Sequence, residues 1–421
     1  MPRPITIIIL LALALFGTLA LVVFLGGILE SARVVQLPGE FSMFPDEPGE
    51  LPSVIAPPPP PAVIKPLDDD PSEPLANPPA MVKAVYATSW SAGNRSKMDY
   101  LMKLIQETEL NAIVIDIKDY TGYVAYRTAL TLPKEYNAVE LRISKLNALL
   151  GRLHHEGIYV IARVSVFQDI RLALARPDLA ITSSSTGAVW KDRKGLTWMD
   201  PASREVWEYN TAIAREAFER GFDEVNFDYI RFPSDGNLLD LKYPVWDGKP
   251  GAKVLGEFWS YLRSELPDRN ISADLFGLTT IDPGDLGIGQ RLAVAIPHFD
   301  YIAPMVYPSH YAPGVFGFAK PADHPYEVVS RSLEGAIGQI KSYERTYGTT
   351  TPEVPPLHTA KLRPWLQDFD LGAVYDAPKV QDQIRAVMEI ASSSPEYISG
   401  WMLWSPTNVY TREALGNTSD E

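Results

Sequence analysis

A charged segment within an apolar strand is the first feature that could do chemistry. Residues 221–233 read GFDEVNFDYIRFP, with β-branched and aromatic side chains that are typical of a strand. Asp228 and Arg231 lie within it, and a carboxylate is costly to bury in an apolar strand without a partner. Asp228 is therefore expected either to pair with a cation for structural reasons or to lie at a strand end and do chemistry.

Two further aspartates lie in apolar, strand-like segments, Asp116 in AIVIDIK and Asp274 in ISADLF. Glycoside hydrolysis usually uses two carboxyl groups, about 5–5.5 Å apart for retention and roughly 6.5–9.5 Å apart for inversion. Asp228 and Asp274 are predicted on adjacent strands, so either separation is possible, and Asp116 is the third candidate. The structural alternative is that Arg163 and Arg231 neutralise Asp116 and Asp228, as buried charges require.

Polar and aromatic side chains also cluster where the predicted strands end. Aromatic faces beside carboxylates and amides suit a carbohydrate, whose rings offer C–H faces and hydroxyl groups. The candidate substrate-binding residues are Trp90, Lys118, Asp119, Arg163, Asn226, Arg231, Tyr307, Gln367, Trp404 and Asn408. For any single aromatic residue, packing in the core is the alternative. The period of two in strands predicts that Asn226 and Asp228 share one face, as do Asp116 and Lys118.

Strand and helix patterns alternate from about residue 82 onward. The predicted strands are 82–90, 112–117, 158–167, 222–232, 271–276, 301–307, 361–366 and 399–404. The predicted helices are 96–108, 142–155, 203–220, 251–266, 289–296, 326–347 and 380–392. This alternation indicates a parallel sheet with helical crossovers. The eight strands and the absence of a glycine-rich nucleotide motif favour a closed (β/α)₈ TIM barrel over a doubly wound sheet, with the site at the C-terminal strand ends.

The N-terminal 80 residues differ in composition from the rest of the chain. Residues 5–29 contain no charged side chain, which predicts a transmembrane anchor at 1–30 rather than the shorter apolar core of a cleaved signal peptide. Thirteen prolines fall between Pro45 and Pro79, so residues 31–80 are predicted to form an extended, acidic linker. The charge before the helix places residues 81–421 outside the cytoplasm, in the periplasm or the extracellular space.

Composition excludes several classes of function. The 421 residues carry a formal net charge of −14, which argues against a nucleic-acid partner. The absence of cysteine excludes disulfides, thiolate metal sites and a cysteine nucleophile. The six histidines show no metal-binding spacing, so no metal and no cofactor are expected. The absence of a GxSxG element ranks an esterase or deacetylase last.

Sequence blocks along the domain resemble a known family. They are AIVIDIKDYTGYVAY, IARVSVFQD, KGLTWMDPASREVWEYN, GFDEVNFDYIRFPSDG, ADLFG, APMVYPSHY, RPWLQDF and GWMLWSPTNVY. With its DYIRFP block, the chain resembles the bacterial family of glycosyl hydrolase domains, which implies a TIM barrel and activity on glycosides. The fourth strand is also similar to the chitinase signature, but Ile230 stands where that signature has its catalytic glutamate. This difference argues against substrate-assisted chitinase chemistry.

These observations predict hydrolysis of an envelope or extracellular polysaccharide through Asp228 and Asp274, supported by Asp116. The alternative is a non-catalytic carbohydrate-binding barrel that serves as an envelope scaffold. Two carboxyl groups facing an open aromatic cleft would favour the enzyme, whereas aspartates locked in arginine pairs would favour the scaffold. Asp223 and Glu224 are predicted at the opposite end of the fourth strand, where charges serve stability.

Overall fold

The computed structural model describes residues 71–348 and 358–417. The predicted N-terminal anchor and residues 31–70 of the predicted linker lie outside these residues. Across the two described ranges, no helix has both the length and the apolar character that a membrane span requires.

Eight parallel strands close into a barrel. They are β1 Val82–Ala87, β2 Ala112–Lys118, β3 Tyr159–Ser165, β4 Glu224–Asp228, β5 Ile271–Phe276, β6 Tyr301–Met305, β7 Trp365–Gln367 and β8 Gly400–Trp404. Each strand pairs with the next, and β8 pairs with β1 to close the ring. A two-residue strand, Lys361–Leu362, pairs with β6 just before β7, and Pro364 separates the two segments. The predicted TIM barrel is therefore confirmed.

Helices cover the outside of the barrel. They are α1 Arg95–Glu107, α2 Leu146–His155, α3 Arg204–Glu219, α4 Gly251–Glu265, α5 Leu292–Ala295, α6 Pro325–Tyr347 and α7 Ala377–Ser393. Side chains of Asn94, Ser203 and Asp376 accept hydrogen bonds from backbone N–H groups in the first turns of α1, α3 and α7. Such caps satisfy donors that have no partner within the helix. Each of the six longer helices buries one apolar face against the strands, as the periodicity predicted.

An insertion after β2 is the main difference from the predicted elements. Two short parallel strands, Val124–Tyr126 and Val139–Ile143, pair with each other, and the first also pairs antiparallel with β2. A short helix, Thr131–Glu135, connects them. The predicted second helix therefore begins at Leu146 rather than at residue 142, because the alternating sequence VELRI forms a strand.

Other short elements lie in the loops at the C-terminal ends of the strands. The first predicted strand ends at Ala87, and Thr88 caps a short helix, Ser89–Gly93. The loop after β3 contains the helix Ile170–Ala175 and the strand Thr182–Ser183. That strand pairs antiparallel with Leu241–Lys242 from the loop after β4, so the two loops are joined.

The N-terminal end of the barrel interior holds a buried ion pair. Arg363 Nη1 lies 2.9 Å from Glu224 Oε2, and both side chains are fully buried. The hydroxyl groups of Ser272 and Tyr159 donate to the same carboxylate at 2.6 and 3.2 Å. This network joins strands β3, β4, β5 and the start of β7, which agrees with the predicted structural role of Glu224.

The segment before β1 crosses the same end of the barrel. Asp223 accepts hydrogen bonds from the backbone N–H groups of Leu75 at 2.6 Å and Val160 at 2.7 Å. His154 Nε2 lies 3.0 Å from Asp223, and its Nδ1 lies 2.9 Å from the Ser72 hydroxyl. Asp223 therefore has the structural role that the sequence predicted, and it also fixes the chain that leads into β1.

Candidate active site

Three aspartates converge on Arg163 at the C-terminal mouth of the barrel. Arg163 Nη1 donates to Asp116 Oδ1 at 2.6 Å, Nη2 pairs with Asp228 Oδ2, and Nε lies 3.5 Å from Asp274 Oδ2. These residues come from β2, β3, β4 and β5, and strand register sets Asp116 opposite Arg163. The sequence predicted all three aspartates as candidates, and the structure brings them together.

Asp274 is held by two donors besides the guanidinium. The indole N–H of Trp365 donates to Asp274 Oδ1 at 2.7 Å, and the Asn226 amide donates to the same oxygen at 2.9 Å. Asn226 also donates to Ser272 Oγ at 3.0 Å and is fully buried. Asn226 therefore faces the same side of β4 as Asp228, as predicted, but it positions Asp274 from below and has no surface open to a ligand.

A sharp change in the backbone ends β4 at Asp228. Tyr229 has a φ of 52°, a left-handed conformation that an aromatic residue rarely adopts. Its backbone N–H donates to Asp228 Oδ1 at 2.5 Å, so one carboxylate oxygen binds the turn and the other binds Arg163. The strand therefore ends four residues before the predicted end, and the turn fixes the direction of the Asp228 side chain.

Three acidic side chains share one basic side chain, Arg163, at this mouth. Asp116 and Asp228 are each 3% exposed and Asp274 is 1% exposed, so water screens their charges poorly. Burial, followed by the negative charge of Asp228, raises the pKa of Asp274 to about 8. Burial also raises the pKa of Asp116, although Arg163 and the Tyr86 hydroxyl oppose that shift. The group therefore holds at least one proton near neutral pH.

The prediction that Asp116 and Lys118 share a face is wrong. Asp116 pairs with Arg163 and Lys118 with Val164, so β2 advances two residues where β3 advances one. This β-bulge at Ile117 breaks the period of two and turns Lys118 out of the barrel mouth. The Lys118 ammonium is fully buried, 2.7 Å from Asp169 Oδ2, and donates to the Ser165 carbonyl at 2.6 Å. Lys118 therefore joins the end of β2 to the end of β3 and the loop that follows it.

Gln367 and Asn408 are also occupied by structural contacts. Gln367 is fully buried; it accepts from the Ser309 N–H at 3.2 Å and donates to the Phe369 carbonyl at 2.9 Å. Asn408 accepts from the Thr88 N–H at 3.0 Å and donates to the Ser405 carbonyl at 3.0 Å. Both side chains join loops around the mouth, so their predicted role in binding substrate is replaced by a structural one.

Tyr307 and Trp404 form an aromatic wall beside the acids. Their ring centroids are 5.9 Å apart, and Trp404 stacks on Tyr86 at 6.2 Å. Among the residues that the structure describes, the Tyr307 hydroxyl has no hydrogen-bond partner. Burial, followed by the negative charges of Asp274 and Asp228, raises the pKa of the Tyr307 hydroxyl. Both residues therefore lie where the sequence predicted.

Arg231 lies next to this group but does not neutralise Asp228. Its Nη1 donates to the Phe232 carbonyl and to Ser234 Oγ, both at 3.1 Å. Its guanidinium carbon lies 4.7 Å from the centre of the Trp198 ring. Within the described ranges no carboxylate lies within ion-pair distance of Arg231, and burial lowers its pKa. The predicted pairing of Arg231 with Asp228 is therefore wrong, and Arg163 fills that role.

Asp119 and Trp90 lie farther out on the rim. Asp119 Oδ2 accepts a hydrogen bond from Arg142 Nη1 at 2.5 Å, and its other oxygen accepts from the Thr121 N–H at 3.0 Å. Trp90 is 61% exposed, and the Arg142 guanidinium carbon lies 4.8 Å from its ring centre. Asp119 is thus a support for Arg142, whereas Trp90 remains open to a ligand.

Sequence reasoning missed two residues that contact the acids. The Tyr86 hydroxyl donates to Asp116 Oδ2 at 2.5 Å. Trp365, which was not among the candidate substrate-binding residues, donates to Asp274. Tyr86 could have been found because it lies near the C-terminal end of β1, where the site of a TIM barrel is expected. The position of Trp365 was obscured because Pro364 interrupts β7.

Comparisons with known proteins identify the family of this chain and agree with its barrel fold. Residues 84–410 match the family model described as "Putative glycosyl hydrolase domain". A hypothetical protein from Ruminiclostridium thermocellum is 37% identical over 45% of this chain and 96% of that chain, with a TM-score of 0.42. The search of curated proteins gave no significant match.

Two glycoside hydrolase domains are among the similar solved structures. The domain of PgaB (BpsB) from Bordetella bronchiseptica is 13% identical, covers 80% of this chain and 99% of its own, and has a TM-score of 0.54. The domain of PelA from Pseudomonas aeruginosa is 13% identical, covers 79% of this chain and 97% of its own, and has a TM-score of 0.40. The likeness to PgaB supports the fold alone. Because the family model spans most of the sequence, this chain belongs to that family of glycosyl hydrolase domains.

Proposed function

We propose that this protein hydrolyses glycosidic bonds of an envelope or extracellular polysaccharide, with Asp228 and Asp274 as the reacting carboxyl groups. The observation that carries the proposal is the convergence of three buried acids on one guanidinium, Arg163, at the C-terminal mouth of the barrel. That end is where TIM-barrel enzymes carry their active sites. Membership of the family supports the same class of reaction.

Asp274 is assigned as the proton donor. With a pKa of about 8, it carries a proton at neutral pH, and pairs of carboxyl groups with separated pKa values are typical of glycosidases. Its proton passes to the leaving glycosidic oxygen as the bond to the anomeric carbon breaks. Asp228, which faces Arg163, either attacks that carbon or deprotonates the water that does so. Asp116 holds Arg163 from the other side, and the Tyr86 hydroxyl donates to Asp116.

We further propose that the domain acts outside the cytoplasm, tethered by residues 1–30 and spaced from the membrane by the proline-rich residues before the folded domain. The support is the uncharged N-terminal segment and the proline-rich composition that follows it. Protease added to spheroplasts should degrade the domain and leave cytoplasmic proteins intact. A domain that becomes accessible only after the cells are lysed would contradict this location.

A second candidate function is binding of a carbohydrate without turnover. The observation that favours it is that all three acids contact Arg163 and are almost fully buried, so none of these three carboxyl groups faces an open cleft. A substrate bond would have to reach these groups past the wall formed by Tyr307 and Trp404. This candidate predicts saturable binding of a polysaccharide with no release of reducing ends.

The test is a hydrolysis assay of the full chain on soluble β-glucan, xylan, galactan, chitosan and pectin. Asp228→Asn should lower kcat/KM at least about 100-fold, the size of effect seen when an acid–base group is lost. The matched control is Asp300→Asn, because Asp300 also pairs with an arginine, Arg263, at 2.6 Å but lies before β6 at the opposite end. Circular dichroism checks that both variants fold.

Three outcomes separate the candidates. Loss of turnover in Asp228→Asn, with Asp300→Asn active, supports hydrolysis by this site. Turnover that is unchanged in Asp228→Asn overturns the catalytic assignment. Binding of one polymer without turnover by the native chain supports the scaffold instead.

A further inference from the structure

Trp90 is an exposed aromatic residue on a rigid support. Its side chain is 61% exposed at the C-terminal end of β1, in the first turn of the helix Ser89–Gly93. Within the described part of the chain, its indole N–H makes no hydrogen bond. An exposed indole with a free N–H can pack its apolar face against a ligand and also donate a hydrogen bond to it.

Arg142 lies behind the indole and is immobilised by its own contacts. Its Nη1 donates to Asp119 Oδ2 at 2.5 Å and to Ser89 Oγ at 3.0 Å, and its Nε donates to Glu140 Oε2 at 2.5 Å. Its side chain is only 4% exposed. The two carboxylates therefore hold the guanidinium in place beside the indole, with its carbon 4.8 Å from the ring centre.

The stack continues below Arg142. The Arg142 guanidinium carbon lies 5.6 Å from the centre of the Tyr123 ring, and the Arg171 guanidinium carbon lies 4.9 Å from that ring. Trp90, Arg142, Tyr123 and Arg171 thus form an alternating column of rings and cations, which we name the rim stack. Each contact lies within the range of a cation–π interaction.

The insertion after β2 supplies two members of the rim stack. Arg142 lies in the strand Val139–Ile143, and Tyr123 immediately precedes the strand Val124–Tyr126. The backbone of this insertion packs closely on the helix that carries Trp90, because a Cβ atom at Gly93 would lie 1.9 Å from the Arg142 carbonyl oxygen. The whole insertion therefore holds the indole at the rim.

We propose that Trp90 is a second subsite, which stacks on a sugar ring of a polymer whose scissile bond lies at Asp228 and Asp274. This inference rests on the proposed function and narrows its substrate to a chain of several sugars. The indole face meets the C–H face of the ring, and the indole N–H donates to a hydroxyl. The rim stack removes the ordering cost that a mobile tryptophan would incur on binding.

The distance along the chain is compatible with one bound oligosaccharide. Trp90 follows Tyr86 by four residues, and Tyr86 donates to Asp116 in the acid group. Four residues span at most about 14 Å when fully extended. Asp119, which holds Arg142, follows Asp116 by three residues. The rim stack therefore belongs to the same mouth as the acids and lies on the side of β1 and β2.

The experiment compares Trp90→Ala and Trp90→Phe with the native full chain. Each is assayed on the polymer of the five-member panel that is hydrolysed fastest and on the p-nitrophenyl glycoside of the same sugar. Trp90→Ala should raise KM for the polymer about tenfold, the effect of removing one strong contact, while kcat and the rate on the short glycoside stay unchanged. Trp90→Phe should recover most of the loss, because it keeps an aromatic face.

Tyr347→Ala is the matched control, because Tyr347 is also 61% exposed but lies at the end of α6. Retardation of each protein in gels that contain the same five polymers gives a readout that needs no turnover. Weaker retardation of Trp90→Ala supports the subsite even if hydrolysis is absent, in which case the proposed function alone fails. An unchanged polymer KM, or unchanged retardation of Trp90→Ala beside the native chain, overturns the subsite.

Discussion

At the scale of single residues, the arrangement around Arg163 decides the chemistry of the mouth. One guanidinium contacts three carboxyl groups, so the buried group would carry an excess negative charge if all three were ionised. Carboxylates that share a buried site cannot all ionise freely, and one of them keeps its proton. Asp274 is that group in this protein, because it is the most buried of the three and lies near the charge of Asp228.

The first prediction concerns the pH dependence of activity. If Asp274 donates the proton, kcat/KM should fall as pH rises through about 8, where this carboxyl group ionises. Asp274→Asn should lower kcat/KM by about 10²–10⁴-fold, because the amide cannot donate a proton to the leaving oxygen. A pH–rate profile of the native chain measures the first effect. A profile that stays flat from pH 6 to 10 would show that Asp274 is not the acid.

The same carboxyl group predicts how stability depends on pH. Its pKa is raised in the folded state, so the folded protein binds a proton that the unfolded chain releases above about pH 4. Stability from this group is therefore present at low pH and is lost as pH rises towards 8. Asp274→Asn should raise Tm by a few degrees relative to the native chain at pH 8 and change it little at pH 4. Thermal melts of both proteins at pH 4 and pH 8 test this prediction. A larger rise in Tm at pH 4 than at pH 8 would contradict it.

Removal of Arg163 should be more damaging than removal of any one of its partners. Arg163→Met would leave the carboxyl groups of Asp116 and Asp228 buried without a cation, at a cost of about 3–5 kcal/mol at pH 7. The cost should shrink at pH 5, where the acids can take up protons. Urea unfolding measures it. The double variant Arg163→Met/Asp116→Asn should recover part of the loss, and a single variant as stable as the native chain would refute the charge argument.

At the scale of elements, the bulge in β2 separates a site residue from a structural one. Asp116 reaches the mouth, whereas Lys118 turns outward to Asp169, which also accepts from the Leu172 N–H at 2.7 Å and caps the helix Ile170–Ala175. A single strand thus serves the acids and the loop after β3. The alternation of side chains along a strand does not by itself distinguish the role of Asp116 from that of Lys118.

Lys118→Met should therefore reduce stability without a specific effect on substrate binding. It leaves the Asp169 carboxylate buried and unpaired, with an expected cost of about 3–5 kcal/mol. Lys118→Met/Asp169→Asn should regain part of that cost. The KM of the folded variant should equal that of the native chain. A higher KM with unchanged stability would show that Lys118 contributes to substrate binding. Urea unfolding together with steady-state kinetics distinguishes the two results.

The elements also show which features of the site the sequence can predict. The sequence predicts the acids because a charged side chain in an apolar strand is costly to bury unless it has a partner or a function. Asp116, Asp228 and Asp274 all lie in such strands. The bulge was not found, because nothing in AIVIDIK marks Ile117 as an extra residue. The structural roles of Gln367 and Asn408 were not found either, because each side chain accepts a hydrogen bond from the backbone of a distant loop, at Ser309 and Thr88 respectively.

At the scale of the whole molecule, closure of the barrel depends on Gly400. Its φ is 132°, and a Cβ atom there would lie 1.8 Å from the Val82 carbonyl oxygen, on the strand that β8 must join. The eight strands were predictable from their hydrophobicity and spacing. The close approach that closes the ring was not, because it depends on a contact between the first and last strands.

Gly400→Ala should therefore destabilise the entire fold by several kcal/mol, since both the backbone conformation and the contact with β1 are incompatible with a side chain. Gly151→Ala is the control. Gly151 lies in α2, and no atom lies within 4 Å of the place that its Cβ would take, so alanine should stabilise the helix by about 0.5–1 kcal/mol. Thermal melts of both variants test this, and a Gly400→Ala protein as stable as the native chain would disprove it.

The contact of Ser72 with the closed end of the barrel places the start of the autonomous domain before β1. Ser72 donates its N–H to the Arg220 carbonyl at 3.1 Å, and a Cβ atom at Gly221 would lie 1.9 Å from the Ser72 carbonyl oxygen. A chain that starts at Met81 would lose these contacts of Ser72, and Asp223 would lose the hydrogen bond from the Leu75 N–H. Proline content alone is therefore a poor guide for truncation, because the last ten residues of the proline-rich stretch already belong to the folded domain.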